Sequence, residues 1–212
     1  MKFLSYIQKS YHRNILEQLL EKHKYLIKGK ILDIGSKTRR YDHLFGGKII
    51  AIDTNPKSEL NIIEGNLIHL EFDSNSFDSI ICFEVFEYLE PDDFRKGFEE
   101  IHRVLKSNGY ALISIPFFCN DHKDYMRVTY NYLSEYLKKF NKFEFKIFKI
   151  GNKYTSTYDI ARDRDKIFLF KGIKKYRVYL ILFLFYLVIK LFSLEKKKDS
   201  LYSGCFLVLR KK

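Results

Sequence analysis

The sequence predicts an α/β fold, a mostly parallel sheet with helices on both faces, and three observations carry that prediction. Short β-branched apolar runs at 30–34, 48–53, 60–64, 77–83, 110–115 and 143–150 alternate with helical or loop segments. Their hydrophobicity is two-sided rather than alternating, as in strands covered from both faces. A chain of 212 residues is long enough to bury such a sheet in one large domain.

Taken in order, "MKFLSYIQKSYHRNILEQLL" lacks the apolar core and small-residue cleavage site of a signal peptide. Leu4, Ile7, Tyr11, Ile15 and Leu19 instead predict one face of an amphipathic helix. "ILDIG" then reads as a buried strand running into Asp33 and Gly35. Only "TNPKSE" separates the second and third strands, too little for a crossover helix. Either a loop makes that crossover or the third strand is misplaced. Pro91 sits where a helix begins, with Phe94, Phe98, Ile101 and Leu105 at helical spacing. His102 on that helix is expected to be a surface or packing residue. Asn108-Gly109 turns the chain into the next strand, and "NYLSEYLKKF" forms a helix before the strand at 143–150. "CFLVL" at 205–209 closes the chain with a last strand.

Charge is uneven. Residues 1–150 hold 23 Lys+Arg against 21 Asp+Glu, whereas residues 151–212 hold 15 against 5. The excess therefore belongs to the C-terminal third and favours a local anionic partner, a membrane surface or nucleic acid. Within that third lies "VYLILFLFYLVI" at 178–189, flanked by Lys171, Lys174, Lys175 and Arg177 and by Lys196, Lys197 and Lys198. Spanning a bilayer takes about twenty apolar residues, so 178–194 is expected to form a helix lying at a membrane interface or docked on protein. Leu182, Phe185 and Ile189 are its expected membrane contacts. The three cysteines, Cys82, Cys119 and Cys205, show neither a metal spacing nor a disulfide framework, which points to a cytoplasmic protein.

The chemistry begins at 31–41. A strand, Asp33-x-Gly35, and a neighbouring strand ending in Asp53 provide a close backbone approach and a carboxylate for ribose hydroxyls. Ser36, Lys37, Thr38, Arg39 and Arg40 follow where a phosphate-binding loop has glycines. A pyrophosphate cofactor is therefore not expected. An adenosine cofactor without phosphates, S-adenosylmethionine, places less demand on that turn.

"ILDIGSKTRRY", "IIAIDTNP", "EGNLIHLEFDSNSFDSIICFEVFEYLEP" and "EEIHRVLKSNGYALISIPF", in this order, resemble class I S-adenosylmethionine-dependent methyltransferases. The likeness spans residues 30–117. "HKDYMRVTYNYLSEYL" is similar to the H-x-D-Y-x-R-x-T stretch of methyltransferases linked to bacterial surface-polysaccharide biosynthesis. The resemblance implies a Rossmann-like, seven-stranded sheet with an antiparallel last strand, which "SGCFLVLRKK" resembles. It divides the chain into an N-terminal helical segment (1–29), a methyltransferase core (30–150), a basic and hydrophobic insertion (151–202) and the final core strand (203–212). Carried over by motif position, Asp33, Gly35 and Ser36 line the methionine part of the cofactor. Asp53 binds the ribose with Thr54 beside it, Asn66 and Leu67 surround the adenine, and Cys82 and Phe83 pass beneath the cofactor. Two usual loop glycines are Lys37 and Arg39 here, and a common histidine after Glu87 is Tyr88.

The expected activity is methyl transfer to a sugar hydroxyl or lipid-linked glycan precursor, by an enzyme peripheral to the inner face of the membrane. Catalysis comes mainly from holding nucleophile and methyl in line. His122 is the expected base, with Asp121 and Asp124 as alternatives. Asp124 paired with Arg127 in a structural role is an equal alternative, and Glu84 and Glu87 are expected to be solvated or helix-capping. A non-catalytic scaffold and an RNA methyltransferase are the other readings. No recognisable RNA-binding module accompanies the basic tail, so nucleic acid is not the expected partner. The sequence leaves the oligomeric state open.

Overall fold

The computed structural model describes residues 9–118, 123–162, 173–198 and 200–212. Seven strands, β1 (Lys30–Ile34), β2 (Lys48–Asp53), β3 (Ile62–Glu64), β4 (Phe77–Phe83), β5 (Leu105–Pro116), β6 (Phe143–Ile150) and β7 (Gly204–Lys211), form one sheet. Their order is β3-β2-β1-β4-β5-β7-β6, and only β7 runs antiparallel to its neighbours. This is the Rossmann-like class I methyltransferase fold. The short β2–β3 crossover is a single 3-10 turn, Ser58–Leu60, closed by Asn61 at φ 51°. The turn consumes the residues expected to open the third strand, which starts at Ile62.

Five helices are described: α1 (Tyr11–His23), α2 (Asp93–Val104), α3 (Tyr130–Phe140), α4 (Lys153–Ala161) and α5 (Ile173–Leu191). Alternation along the strands sends Leu32, Ile34 and Ile80 to the α2–α3 side, where they meet Phe94, Phe98 and Leu133. Ile31, Ile81 and Leu112 point the other way and bury Leu16 and Leu20 of α1. Each such buried aliphatic side chain contributes about 1.5–3 kcal/mol.

The buried face of α1 is offset from the expected one. Leu16 and Leu20 are fully buried while Ile15 and Leu19 are only partly so, and Leu4 and Ile7 lie outside the described residues. Polar ties set this rotation. Asp159 of α4 accepts the amides of Tyr11 (2.7 Å) and His12 (2.9 Å), a carboxylate at a helix N-terminus where the dipole favours it. His12 and Arg13 reach the end of β4, and positions three and four residues further on must then face the sheet.

In α5 the apolar run divides into two faces. Leu182 (2% exposed), Tyr186 and Ile189 (0%) pack with Tyr11 and Tyr158. Leu180, Ile181, Leu184 (52%), Val188 and Leu191 (78%) face outward. The expected membrane contacts Leu182 and Ile189 are thus on the protein side, and Phe185 lies 5.7 Å from the Tyr158 ring. Asn152 donates to the carbonyls of Leu194 (2.7 Å) and Lys197 (2.8 Å), pinning the chain after the helix. Among the described residues no helix is long and apolar enough to cross a membrane.

Candidate cofactor cleft

A cleft of about 1200 Å³ opens at the carboxyl ends of β1, β2 and β4, where open α/β sheets bind ligands. The loop after β1 explains how the chain manages without its expected glycines. Gly35 has φ +72°, and a Cβ there would lie 2.3 Å from Val85 Cγ2, so only glycine fits. Lys37 and Arg39 adopt φ 49° and 51°, the left-handed conformation that glycine normally supplies. That conformation costs about 1–2 kcal/mol for each non-glycine residue. Local bonds offset the cost. Asp53 Oδ2 accepts the Lys37 amide (3.0 Å), and Lys57 Nζ donates to the Lys37 carbonyl (3.0 Å). Arg39 pairs with Asp42 (2.6 Å) and donates to Asn61 O (3.1 Å). Lys37→Gly is expected to raise the unfolding midpoint slightly, because relief of this strain exceeds the glycine entropy cost of about 0.5–1 kcal/mol. Thermal denaturation checks it.

Asp53 Oδ1 accepts the Asn55 amide (2.9 Å), so both carboxylate oxygens are oriented and each keeps capacity for a further donor. Thr54 and Asn66 are exposed on the cleft wall beside it, and Asn66 Oδ1 accepts the Ile68 amide (3.2 Å). Leu67 and Phe83 also line the cleft. Cys82 does not: it is buried in the sheet with Leu32 and Ile80, and burial raises its thiol pKa, with Glu87 and Asp33 adding to the effect. Asp33 (6% exposed) and Ser36 are buried at the base of the loop. Burial pushes the Asp33 carboxyl up to about 6, while the Ser36 hydroxyl opposes the shift.

The end of β4 carries an ion-pair cluster that sequence reasoning missed. Glu84 accepts from Arg13 Nη2 (2.7 Å) and contacts His12 Nε2 (3.0 Å). Arg13 also donates to the Tyr41 hydroxyl (2.6 Å), and His12 Nδ1 meets Ser203 Oγ (2.8 Å). α1 is thereby fastened across the cleft mouth to β1's loop, β4 and β7. Burial raises the Glu84 pKa, but His12 and Arg13 overcome it and hold the carboxylate at about 2. The signal was the His12-Arg13 pair on a helix whose opposite partner only the fold reveals.

Glu87, expected to be solvated or capping, is 1% exposed on the cleft wall. Neither carboxyl oxygen has a hydrogen-bond partner from another residue among the described residues. Burial pushes its pKa up to about 8, with Glu84 and Asp124 adding to the rise and Arg127 opposing it. Of the expected bases, Asp124 is bound by Arg127, whose Nη2 donates at 3.0 Å and whose Nε donates to the other oxygen. Asp121 and His122 lie outside the described residues. His102 packs edge-on against Phe143 at 5.5 Å, away from the cleft. Among the described residues no group of three or more His, Cys, Asp or Glu could hold a metal ion.

The donor set suits one ligand chemistry. Oriented carboxylate lone pairs at Asp53 match ribose hydroxyls, the buried carboxyls Asp33 and Glu87 favour positive charge, and no glycine-rich phosphate turn is present.

Residues 32–113 match a family model described as a methyltransferase domain. An uncharacterized protein of Methanocaldococcus jannaschii is 34% identical over 50 residues, 24% of this chain and 21% of that protein. The chain is similar over 99% of its length, with a TM-score of 0.61 and 15% identity, to 99% of an S-adenosylmethionine-dependent methyltransferase from Archaeoglobus fulgidus. It is similar over 99%, with a TM-score of 0.58 and 15% identity, to 85% of the Burkholderia thailandensis 1,6-didemethyltoxoflavin-N1-methyltransferase, solved with 1,6-didemethyltoxoflavin and S-adenosylhomocysteine. Phosphoethanolamine N-methyltransferase 2 of Haemonchus contortus, solved with S-adenosylmethionine, matches 94% of this chain at a TM-score of 0.55 and 15% identity, and the match spans 52% of that enzyme. The chain carries the fold of S-adenosylmethionine-dependent methyltransferases, and its residues 32–113 match the methyltransferase-domain model.

Proposed function

We propose that this chain transfers a methyl group from S-adenosylmethionine to a sugar hydroxyl or lipid-linked glycan precursor at an anionic membrane surface. The loop after β1 supports cofactor use most directly, because Lys37 and Arg39 keep the backbone that glycines would have given. A scaffold released from cofactor binding has no evident reason to retain two strained residues there. When bound, S-adenosylmethionine supplies a methyl group on a positively charged sulfur. Asp53 would hold the ribose, Asn66 and Leu67 the adenine, and Asp33, Gly35 and Ser36 the methionine part. The glycan assignment rests on the "HKDYMRVT" stretch.

Calorimetric titration tests the cofactor assignment. Asp53→Ala is expected to weaken S-adenosylmethionine binding at least about tenfold, since a charge-assisted bond contributes about 1.5–3 kcal/mol. Asp53 also orients the Lys37 amide, so the loop loosens as the ribose contact is lost. No binding by folded wild type, or equal affinity in the variant, sinks the assignment.

The outward face of α5 supports the surface contact. Leu180, Ile181, Leu184, Val188 and Leu191 are exposed along one side, and exposed Arg177, Lys196, Lys197 and Lys198 lie at its two ends. Apolar burial would supply most of the affinity, and each cation near anionic headgroups adds about 1 kcal/mol. Liposome co-sedimentation is expected to rise with phosphatidylserine and fall with salt. Leu184→Ser with Val188→Ser and Leu191→Ser should release the protein while leaving its thermal midpoint unchanged. Wild type that ignores anionic liposomes rules this contact out.

A further inference from the structure

We propose that Glu87, the buried carboxyl on the cleft wall whose oxygens are unpartnered among the described residues, is the counter-ion of the methyl donor's sulfonium. The inference rests on the cleft taking S-adenosylmethionine.

Position comes first. Glu87 follows β4 by four residues, on the segment whose Val85 packs where a Gly35 Cβ would stand. It shares the cleft wall with Asp33 and Gly35, and Glu87 and Asp33 both raise the pKa of the buried Cys82 thiol. The backbone is fixed, because the Glu87 carbonyl accepts the amides of Tyr125 (2.8 Å) and Met126 (3.2 Å). Its two carboxyl oxygens have no partner from another residue among the described residues. A buried carboxyl in that state is either an unrepaid cost to folding or a group reserved for a ligand.

Charge decides what kind of ligand. Among the described residues, the charged groups acting on Glu87 are Glu84, which Arg13 and His12 pair, and Asp124 with Arg127, which pair with each other. Asp33 and the Cys82 thiol, which Glu87 and Asp33 both act on, bring no positive charge. Among the described residues the cation acting on Glu87 is Arg127, which is bound to Asp124, and burial pushes the Glu87 pKa up to about 8. A fixed positive charge entering the cleft reverses that balance, since an opposite charge within a few ångströms favours the ionised carboxyl. The reaction converts that sulfonium into a neutral thioether, so the attraction is present for the donor and absent for S-adenosylhomocysteine. Glu87 would thereby weaken product binding relative to donor binding. The carboxylate left beside the methyl group is also a group able to receive the acceptor's proton.

The test needs no acceptor. Calorimetric titration of the intact protein at pH 7.5, in phosphate and in Tris, gives the protons released for each bound S-adenosylmethionine and S-adenosylhomocysteine. Wild type is expected to release more protons with the sulfonium donor than with the thioether. Glu87→Gln should remove that excess and shrink the donor-over-product affinity ratio at least about tenfold, a change equivalent to one pKa unit, while still binding both. Equal proton release for the two molecules in wild type, or an unchanged excess in Glu87→Gln, overturns the role of Glu87 alone. Binding of neither molecule by folded wild type removes the cofactor reading and this inference with it.

Discussion

Replacing Glu84 by alanine is expected to cost the folded chain about 3 kcal/mol, since removing one member of this partly buried ion pair leaves its partners uncompensated. The reason lies in what remains. Arg13 is left largely buried without its carboxylate, and His12 loses the partner of its Nε2. Linkage gives a similar size. With its pKa held at about 2 against an ordinary 4.5, Glu84 contributes about 3 kcal/mol, at 1.36 kcal/mol per unit. That contribution is fully present above pH 4.5 and disappears as pH falls through about 2. Wild type should therefore lose stability on acidification more steeply than Glu84→Ala. Glu84 also sits at φ 58°, so Glu84→Gly should be more stable than Glu84→Ala by up to about 1–2 kcal/mol. Urea unfolding at pH 7 and pH 3 measures all of this. A loss below 1 kcal/mol in the alanine variant would mean that α1 is held by its apolar face alone.

The strands were legible because burial from both sides leaves a mark that no local polarity obscures. β1, β2, β4 and β6 begin and end where the apolar runs do. β3 and β5 differ at their ends for local reasons. A 3-10 turn replaces the start of one, and the other extends back to Leu105, with a register shift opposite Phe77 and Ser79. The helices were less legible in rotation than in existence. Hydropathy placed Ile15 and Leu19 on the inner face of α1, but the face is set by Asp159, 148 residues from Tyr11. α5 shows the same limit. A run without a polar side cannot announce which residues pack, and Tyr11 and Tyr158 decided in favour of Leu182 and Ile189.

Site residues divide along the same line. Asp33, Gly35 and Asp53 stand at strand ends, where sequence position alone dictates proximity to a cleft. Lys37 and Arg39 looked like losses because the sequence records side chains, whereas what the loop keeps is the left-handed backbone that glycine would supply. Glu84 and Glu87 looked like solvated carboxylates because their burial is imposed by α1 and by the chain at Tyr125 and Met126. Neither contact is local, and neither has a sequence signature.

Glu87→Gln is expected to stabilise the protein in alkaline solution by about 4–5 kcal/mol, and to do almost nothing at pH 4. An unfolded glutamate loses its proton near 4.5, whereas the folded protein keeps this one to about 8. Between those values the native state binds the extra proton, so stability falls as pH rises, by up to about 1.4 kcal/mol for each unit. Asp33 adds a smaller loss of the same sign between 3.8 and about 6. Glutamine keeps the shape and cannot ionise, so the Glu87 part of the slope should vanish while the Asp33 part persists. The neutral carboxyl at low pH is nearly isosteric with the amide, which is why the two proteins should converge there. Chemical denaturation at pH 4, 6 and 8.5 resolves the three regimes. A substitution that destabilises equally at every pH would identify Glu87 as a packing residue whose charge the fold does not sense. A gain that grows with pH would instead show that the fold tolerates a carboxyl it would be more stable without, as expected of a group kept for its ligand.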